Sequence, residues 1–444
     1  MPDNSRIAVG VWSELGEGAR WANEGVSRVI GFVIEGAATS GRYLFHVVVQ
    51  PGLAETVRQD LRTLHAVEGR DWLVSEPDVA ICATYMSNPE IATLPERERR
   101  LAAAALYCND YVPVAGWFVS FPFFTSAAYL SKPKATLMPD SLGHDFPTGW
   151  SAQDWAEDGS NERWRSNSTK VTAASDRVIT FSRHVAKRHA VPLLGTPMEK
   201  ISVVPLAPPD LKGLLPFLKG RRRTEESHAA ACTLLRRYMA SEGQHYLEDF
   251  PFEDVPIAFA ATQDRISKNL GRAAEAVRRL VMERRENFKL FLTASFLFGA
   301  DWTLLPELIT KHQFHRDTVT ITDVPREIHA ALFHCATVTV HPTFFEGIIG
   351  ALPFYESLSV GTPCLLARGP HVNELLEAEP ELAPFVFDPY DVESLADLML
   401  EARNNREAMV EVQLPIYERL ALYGWDQVAE AYAQHSITSA GQAA

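Results

Sequence analysis

The stretch His341-Pro342-Thr343-Phe344-Phe345-Glu346-Gly347-Ile348-Ile349-Gly350-Ala351-Leu352-Pro353-Phe354-Tyr355-Glu356 decides the reading of this 444-residue chain. It follows the apolar run Thr337–Val340. A helix is expected from near Phe354 to Gly361, ahead of Thr362-Pro363 and another apolar run, Cys364–Leu366. Strand, glycine-bearing loop, helix and strand make one unit of a parallel sheet. Glycines after a strand let backbone N–H groups approach an anion, and the N-terminus of the next helix adds positive potential. Glu346 stands before that loop and Glu356 on the helix behind it, and carboxylates accept hydrogen bonds from hydroxyls. The combination suits a polyol carrying a phosphate, such as a glycosyl nucleotide.

The same rhythm extends outward in both directions. Strands are expected at Ile7–Trp12, Leu44–Val49, Val79–Ala83, Ala135–Met138, Val178–Phe181 and Ile201–Val204. Later ones are expected at Ile257–Ala260, Phe288–Leu292, Thr318–Ile321, Thr337–Val340 and Cys364–Leu366. Several are continuous apolar runs, as parallel strands covered on both faces require. Between them, Leu270, Ala273, Ala274, Val277, Leu280 and Val281 follow a helical period after Asn269, which is read as an N-cap. Ile328, Ala331, Leu332 and Cys335 repeat the pattern after Pro325, and Asp391 can cap a helix carrying Leu395, Leu398 and Ala402. The fold class is therefore α/β with doubly wound, Rossmann-like sheets. The rhythm breaks around 208–252, where a basic run, Lys219-Gly220-Arg221-Arg222-Arg223, suggests a linker with a helical insertion near 210–252.

Composition excludes several classes. A formal charge of −14 argues against broad nucleic-acid binding, which needs Lys and Arg facing phosphates. No apolar run approaches the ~20 residues that span a bilayer, and the N-terminus lacks the pattern of a signal peptide. The five cysteines are scattered with no Cys-x2-Cys pair, so reduced, mostly buried thiols and a cytoplasmic setting fit best. No Asp-x-Asp pair is present to hold a metal–diphosphate complex, so no metal ligands and no cofactor are expected. Leu214-Leu215-Pro216-Phe217-Leu218 ahead of the basic run suggests weak peripheral contact with a membrane surface through 214–223, on the inner face; a solvated linker is the alternative. The aromatic run Trp117–Phe124 reads as a buried strand.

Phe344-Phe345-Glu346-Gly347, Leu352-Pro353, Glu356 and Gly361-Thr362-Pro363 resemble the Glu-x7-Glu signature of family 4 retaining glycosyltransferases of the GT-B fold. The resemblance continues, in order, through most of the chain. Its landmarks are Asp176–Ser182, Lys200–Pro205, Lys268-Asn269, Phe387–Asp391 and Tyr423-Gly424-Trp425. Three departures stand out. Nine residues, not seven, separate Glu346 from Glu356. The family's His-Asp pair is Pro139-Asp140, with His144 nearby, and the usual basic-loop Arg is Gln263, with Arg265 two positions on.

The resemblance implies two domains facing a central cleft: an acceptor-binding domain over 1–207 and a donor-binding domain over 208–410, with 411–444 crossing back to the first. It implies that Glu346 holds donor-sugar hydroxyls and Glu356 the ribose, while amides around Gly347, Ile348, Ile349 and Gly350 meet the diphosphate. Lys268 and Arg265 would neutralise that diphosphate as it leaves, and base contacts would come from near Asp323 and Val324. Gly16, Gly18, Gly25, Asp140 and His144 would line the acceptor side. The implied reaction is metal-independent, retaining transfer of a hexosyl unit from a nucleotide diphosphate sugar to a glycan or lipid-linked acceptor, in surface-polysaccharide assembly. A non-catalytic glycan- or partner-binding protein and a nucleotide-sugar 2-epimerase remain as alternatives.

Overall fold

A computed structural model describes residues 6–16, 25–145, 159–294 and 305–439. Seven parallel strands build the first sheet: β1 (Ile7–Trp12), β2 (Tyr43–Val48), β3 (Trp72–Ser75), β4 (Gly116–Val119), β5 (Lys134–Met138), β6 (Arg177–Thr180) and β7 (Ile201–Val203). Their order is β3-β2-β1-β4-β5-β6-β7. Six more form the second sheet: β8 (Ile257–Ala260), β9 (Lys289–Leu292), β10 (Thr318–Thr320), β11 (Val338–His341), β12 (Cys364–Ala367) and β13 (Val386–Phe387). That order is β10-β9-β8-β11-β12-β13, again all parallel. Each sheet starts in the middle, winds out to one edge and returns to the middle, which marks both as doubly wound. In the second sheet the direction reverses between β8 and β11, where Val338 pairs with Ala258 and Thr339 with Phe259.

Helices on both faces explain the unbroken apolar strands. Every residue of β8, β11 and β12 is buried. The stripe expected after Asn269 packs as read, with Leu270, Ala273, Ala274 and Val277 inaccessible. Leu270 and Val277 each contribute about 1.5–3 kcal/mol when fully buried, and the two alanines less.

The described chain divides into two units. One takes in Met1–Ser141, Asp154–Ala207 and Tyr423–Ala444, the other Leu142–Gln153 and Pro208–Leu422. The last helix, Trp425–Ile437, belongs to the first unit, where Trp425 stacks on Phe32 at 4.7 Å between ring centroids. Gly36 permits that approach: a Cβ there would sit 2.1 Å from the Trp425 carbonyl oxygen.

Some local expectations fail, each for a physical reason. Val79–Ala83 is not a strand but part of a helix, Val79–Tyr85, because the Asp78 carboxylate accepts from Ile81 N–H at 2.9 Å and caps it. Short apolar runs are ambiguous between the two states, and the cap decides. The edge strand β3 was not expected; only Trp72 and Val74 of its four residues are buried, so it lacks the continuous apolar run of the central strands. Asn269 precedes a helix but does not cap it with its side chain; it adopts the left-handed conformation at φ 54°. The stretch after Pro208 is core as well as linker. Leu211, Leu215 and Leu218 are buried against helix Glu225–Ser241 and helix Arg326–Cys335. Arg221 pairs with Asp210 at 2.7 Å, and Arg223 donates to the Cys335 and Ala336 carbonyls. Within 214–223, Leu215 and Leu218 face inward, while Leu214 and Phe217 are half-buried against the same core. Among the described residues no helix is long and apolar enough to cross a membrane.

Candidate functional site

At the reversal point of the second sheet, the loops after β8 and β11 leave neighbouring strand ends. Open parallel sheets bind ligands in the crevice at this position, because the two loops diverge from it. The loop after β8 carries Arg265 and a single 3₁₀ turn, Ile266–Lys268. The loop after β11 carries Glu346 and Gly347–Gly350 before helix Leu352–Ser359. Two stitches fasten the loops to each other. Phe344 N–H donates to the Ser267 carbonyl at 3.0 Å. Asn269 Nδ2 donates to the carbonyls of Pro342 and Pro389 at 3.1 and 3.2 Å, which is the work its side chain does in place of capping.

Lys268 Nζ thereby reaches Glu346 Oε1 at 2.5 Å, and His341 Nε2 stands 3.2 Å from the same oxygen. His341 is the last residue of β11 and only 2% exposed, so its ring approaches from beneath the loop. Burial alone pushes the Glu346 carboxyl up. The Lys268 ammonium, with His341 beside it, outweighs burial and holds it far below the ordinary carboxylate range. Glu346 is therefore a fixed anion with an acceptor oxygen to offer, beside a cation.

Glu356 lies one turn into helix Leu352–Ser359 and is 1% exposed, with His329 Nε2 3.7 Å from its Oε2. Thr339 Oγ1 donates to Ser357 Oγ at 2.7 Å and fixes this helix on β11. The two-residue-longer loop is ordered by its own contacts. Gly350 N–H donates to the His371 carbonyl at 3.0 Å, and Tyr355 OH donates to the Ile349 carbonyl at 3.0 Å. Gly350 therefore has no amide left for an anion, which corrects the expectation placed on it. The N–H groups of Ile348 and Ile349 enter no backbone hydrogen bond among the described residues.

The other expected residues are more scattered. Arg265 is exposed at the start of the 3₁₀ turn. Asp323 is exposed just beyond β10 in the left-handed conformation, and Val324 packs against the core. In the first unit, Gly16 follows β1 and lines a cavity of about 560 Å³ together with Glu14, Gln50, Pro51, Arg97 and Arg100. Asp140 follows β5, and His144 is exposed on the short helix Leu142–Asp145; neither lines that cavity. Gly25 opens helix Gly25–Ser40, while Gly18 lies outside the described residues. Sequence reasoning passed over His341, His329 and His371. His341 had a signal, since it ends a central strand at the reversal point; the other two come from helices distant in sequence.

No family model matches the chain, and no curated protein sequence does. Solved structures do. Sucrose-phosphate synthase from Thermosynechococcus elongatus superposes with a TM-score of 0.65 at 15% identity, over 97% of this chain and 98% of that one. HepE from Anabaena, in complex with UDP-glucose, gives 0.64 at 11% identity, over 97% and 99%. The trehalose 6-phosphate synthase of Burkholderia multivorans gives 0.57 at 13%, over 97% and 98%. At such identities the likeness is one of fold. The chain has the α/β architecture of the GT-B type, with two Rossmann-like units.

Proposed function

We propose that this chain is a glycosyltransferase that moves a hexosyl unit from a nucleotide diphosphate sugar to a glycan or lipid-linked acceptor, with retention at the anomeric carbon and with no metal acting on the diphosphate. One observation carries the reading. At the reversal point of the second sheet, Lys268 and His341 converge on Glu346 and keep it ionised. Support comes from the fold shared with HepE, whose structure holds UDP-glucose. The ordered sequence landmarks agree, and they alone suggest surface-polysaccharide assembly.

In this scheme Glu346 accepts hydrogen bonds from donor-sugar hydroxyls, and Glu356, behind the loop, serves the ribose. The N–H groups of Ile348 and Ile349 face the diphosphate. Lys268, with exposed Arg265 as a second cation, stabilises charge as the bond from the anomeric carbon to the phosphate oxygen breaks. The acceptor oxygen attacks from the same face, and its proton passes to the departing phosphate. Asp323 and Val324 border the space for the base. Glu14 and Gly16, at the corresponding reversal point of the first sheet, border the space for the acceptor.

The test is a donor screen over UDP-, GDP- and dTDP-sugars that reads release of the nucleoside diphosphate. One donor should turn over in the wild type, and Glu346→Ala should lose at least a hundredfold with an unchanged circular dichroism spectrum. Full turnover in that folded variant would overturn the assignment.

A further inference from the structure

The same sheet carries a second cluster at its other edge, where the strands begin. Helix Glu225–Ser241 places His228 and Cys232 four residues apart, hence on one face. Helix Arg326–Cys335 ends on Cys335, which faces them. The Cys232 and Cys335 sulfurs are 3.5 Å apart, both residues are buried, and a ring nitrogen of His228 completes a triangle whose corners all lie within 4.8 Å. His228 Nε2 is buried and has no hydrogen-bond partner. Beside the cluster lies a cavity of about 480 Å³, lined in part by His228, Cys335, Glu253 and Thr337. Thr337 immediately precedes β11, so this hollow is a strand's length from Glu346.

We infer that His228, Cys232 and Cys335 form a binding site for a thiophilic divalent transition metal of the zinc class, with the fourth position turned to the adjoining cavity. The distances favour a metal over a disulfide. Zinc–sulfur bonds of about 2.3 Å in a tetrahedron set the sulfurs about 3.8 Å apart, whereas a disulfide needs them at about 2.05 Å. The charges close as well: binding displaces one proton from each thiol, and two thiolates with one dication are neutral overall. A neutral centre is tolerable next to Arg223, whose guanidinium donates to the Cys335 and Ala336 carbonyls at 3.4 and 3.2 Å. Water can take the fourth position, since the Glu253 carboxylate that also lines the cavity is held by Arg236. The metal would tie helix Glu225–Ser241 to helix Arg326–Cys335, far from the sugar-transfer chemistry, so it stands apart from the metal-independence of that reaction.

The experiment uses the untagged full chain, stripped with chelator in a non-thiol reductant and titrated with Co²⁺ alone. The expected result is one equivalent bound, with thiolate-to-cobalt charge-transfer absorption and the strong visible bands of a four-coordinate ion. Zn²⁺ should displace it and raise the melting temperature. Cys232→Ser and Cys335→Ser should lose the charge-transfer band or halve it. Cys364→Ser, in a buried thiol elsewhere, should keep it. A folded wild-type chain without the charge-transfer band would overturn the site, as would a band untouched by Cys232→Ser. So would a Cys232–Cys335 disulfide forming at the same rate with and without stoichiometric Zn²⁺.

Discussion

Replacing Glu346 with Gln removes a charge and almost no volume, so it isolates the electrostatics of the cluster. Lys268 Nζ lies 2.5 Å and His341 Nε2 3.2 Å from the carboxylate, and the Lys268 and Glu346 side chains are 19% and 21% exposed. An exposed pair is worth about 0.2–1 kcal/mol, and breaking a fully buried one costs about 3–5 kcal/mol. A pair one-fifth exposed falls between, so Glu346→Gln should destabilise the second unit by about 2 kcal/mol at pH 7. The sign of the pH dependence follows from the depressed carboxyl. Ionised Glu346 stabilises the fold fully above its free-chain value near 4.5, and that contribution fades as the pH drops further toward the folded-state value. Urea unfolding followed by far-ultraviolet circular dichroism, at steps from pH 7 to pH 3, should show the gap between wild type and variant narrowing as acid is added. A gap below about 0.5 kcal/mol at pH 7, or one that widens in acid, would refute the account of a cation-held carboxylate.

Three further outcomes are expected. Gly361→Ala should cost several kcal/mol by thermal melting, because Gly361 has φ +76° and a Cβ would meet the Arg221 carbonyl oxygen at 1.9 Å. Leu215→Ala should cost about 2–4 kcal/mol through a core cavity, while flotation of the wild type with anionic liposomes should match recovery with neutral ones. Glu14→Gln should raise the melting temperature above neutral pH. Burial raises the Glu14 carboxyl despite hydrogen bonds from Ser126 and Trp12, so its stabilising contribution is lost as the pH rises through the folded value. A neutral amide can still accept from Ser126.

Much of the second unit was legible from residue order. The run from His341 to Glu356 marked a strand, loop and helix because those steps follow local rules: a continuous apolar strand, glycines, then a helix closed by Gly361. Asp391 was read as a cap, and its carboxylate accepts from Ser394 N–H at 3.0 Å. Where a local rule had two outcomes, the reading failed. Val79–Ala83 became a helix through one carboxylate, and Asn269 exchanged capping for two carbonyls 73 and 120 residues away. The core partners of Leu215 and Leu218 lie on helices further along the chain, so no local pattern announces that these two leucines are core.

The chain's own order of residues determined the α/β class, the doubly wound alternation and the choice of Glu346 and Glu356 as the acids to follow, while Lys268 entered only through the resemblance of the ordered motifs to a known family. The first three rest on periodicity, turns and residue chemistry, all short-range properties. Only the tertiary structure decided that Lys268 and His341 share one oxygen of Glu346 and that Gly350 binds its amide to His371. The meeting of Cys232 and Cys335 across 103 positions was decided there too. Sheet order brings such groups within a few ångströms, and no local pattern encodes which distant loop or helix will be the neighbour.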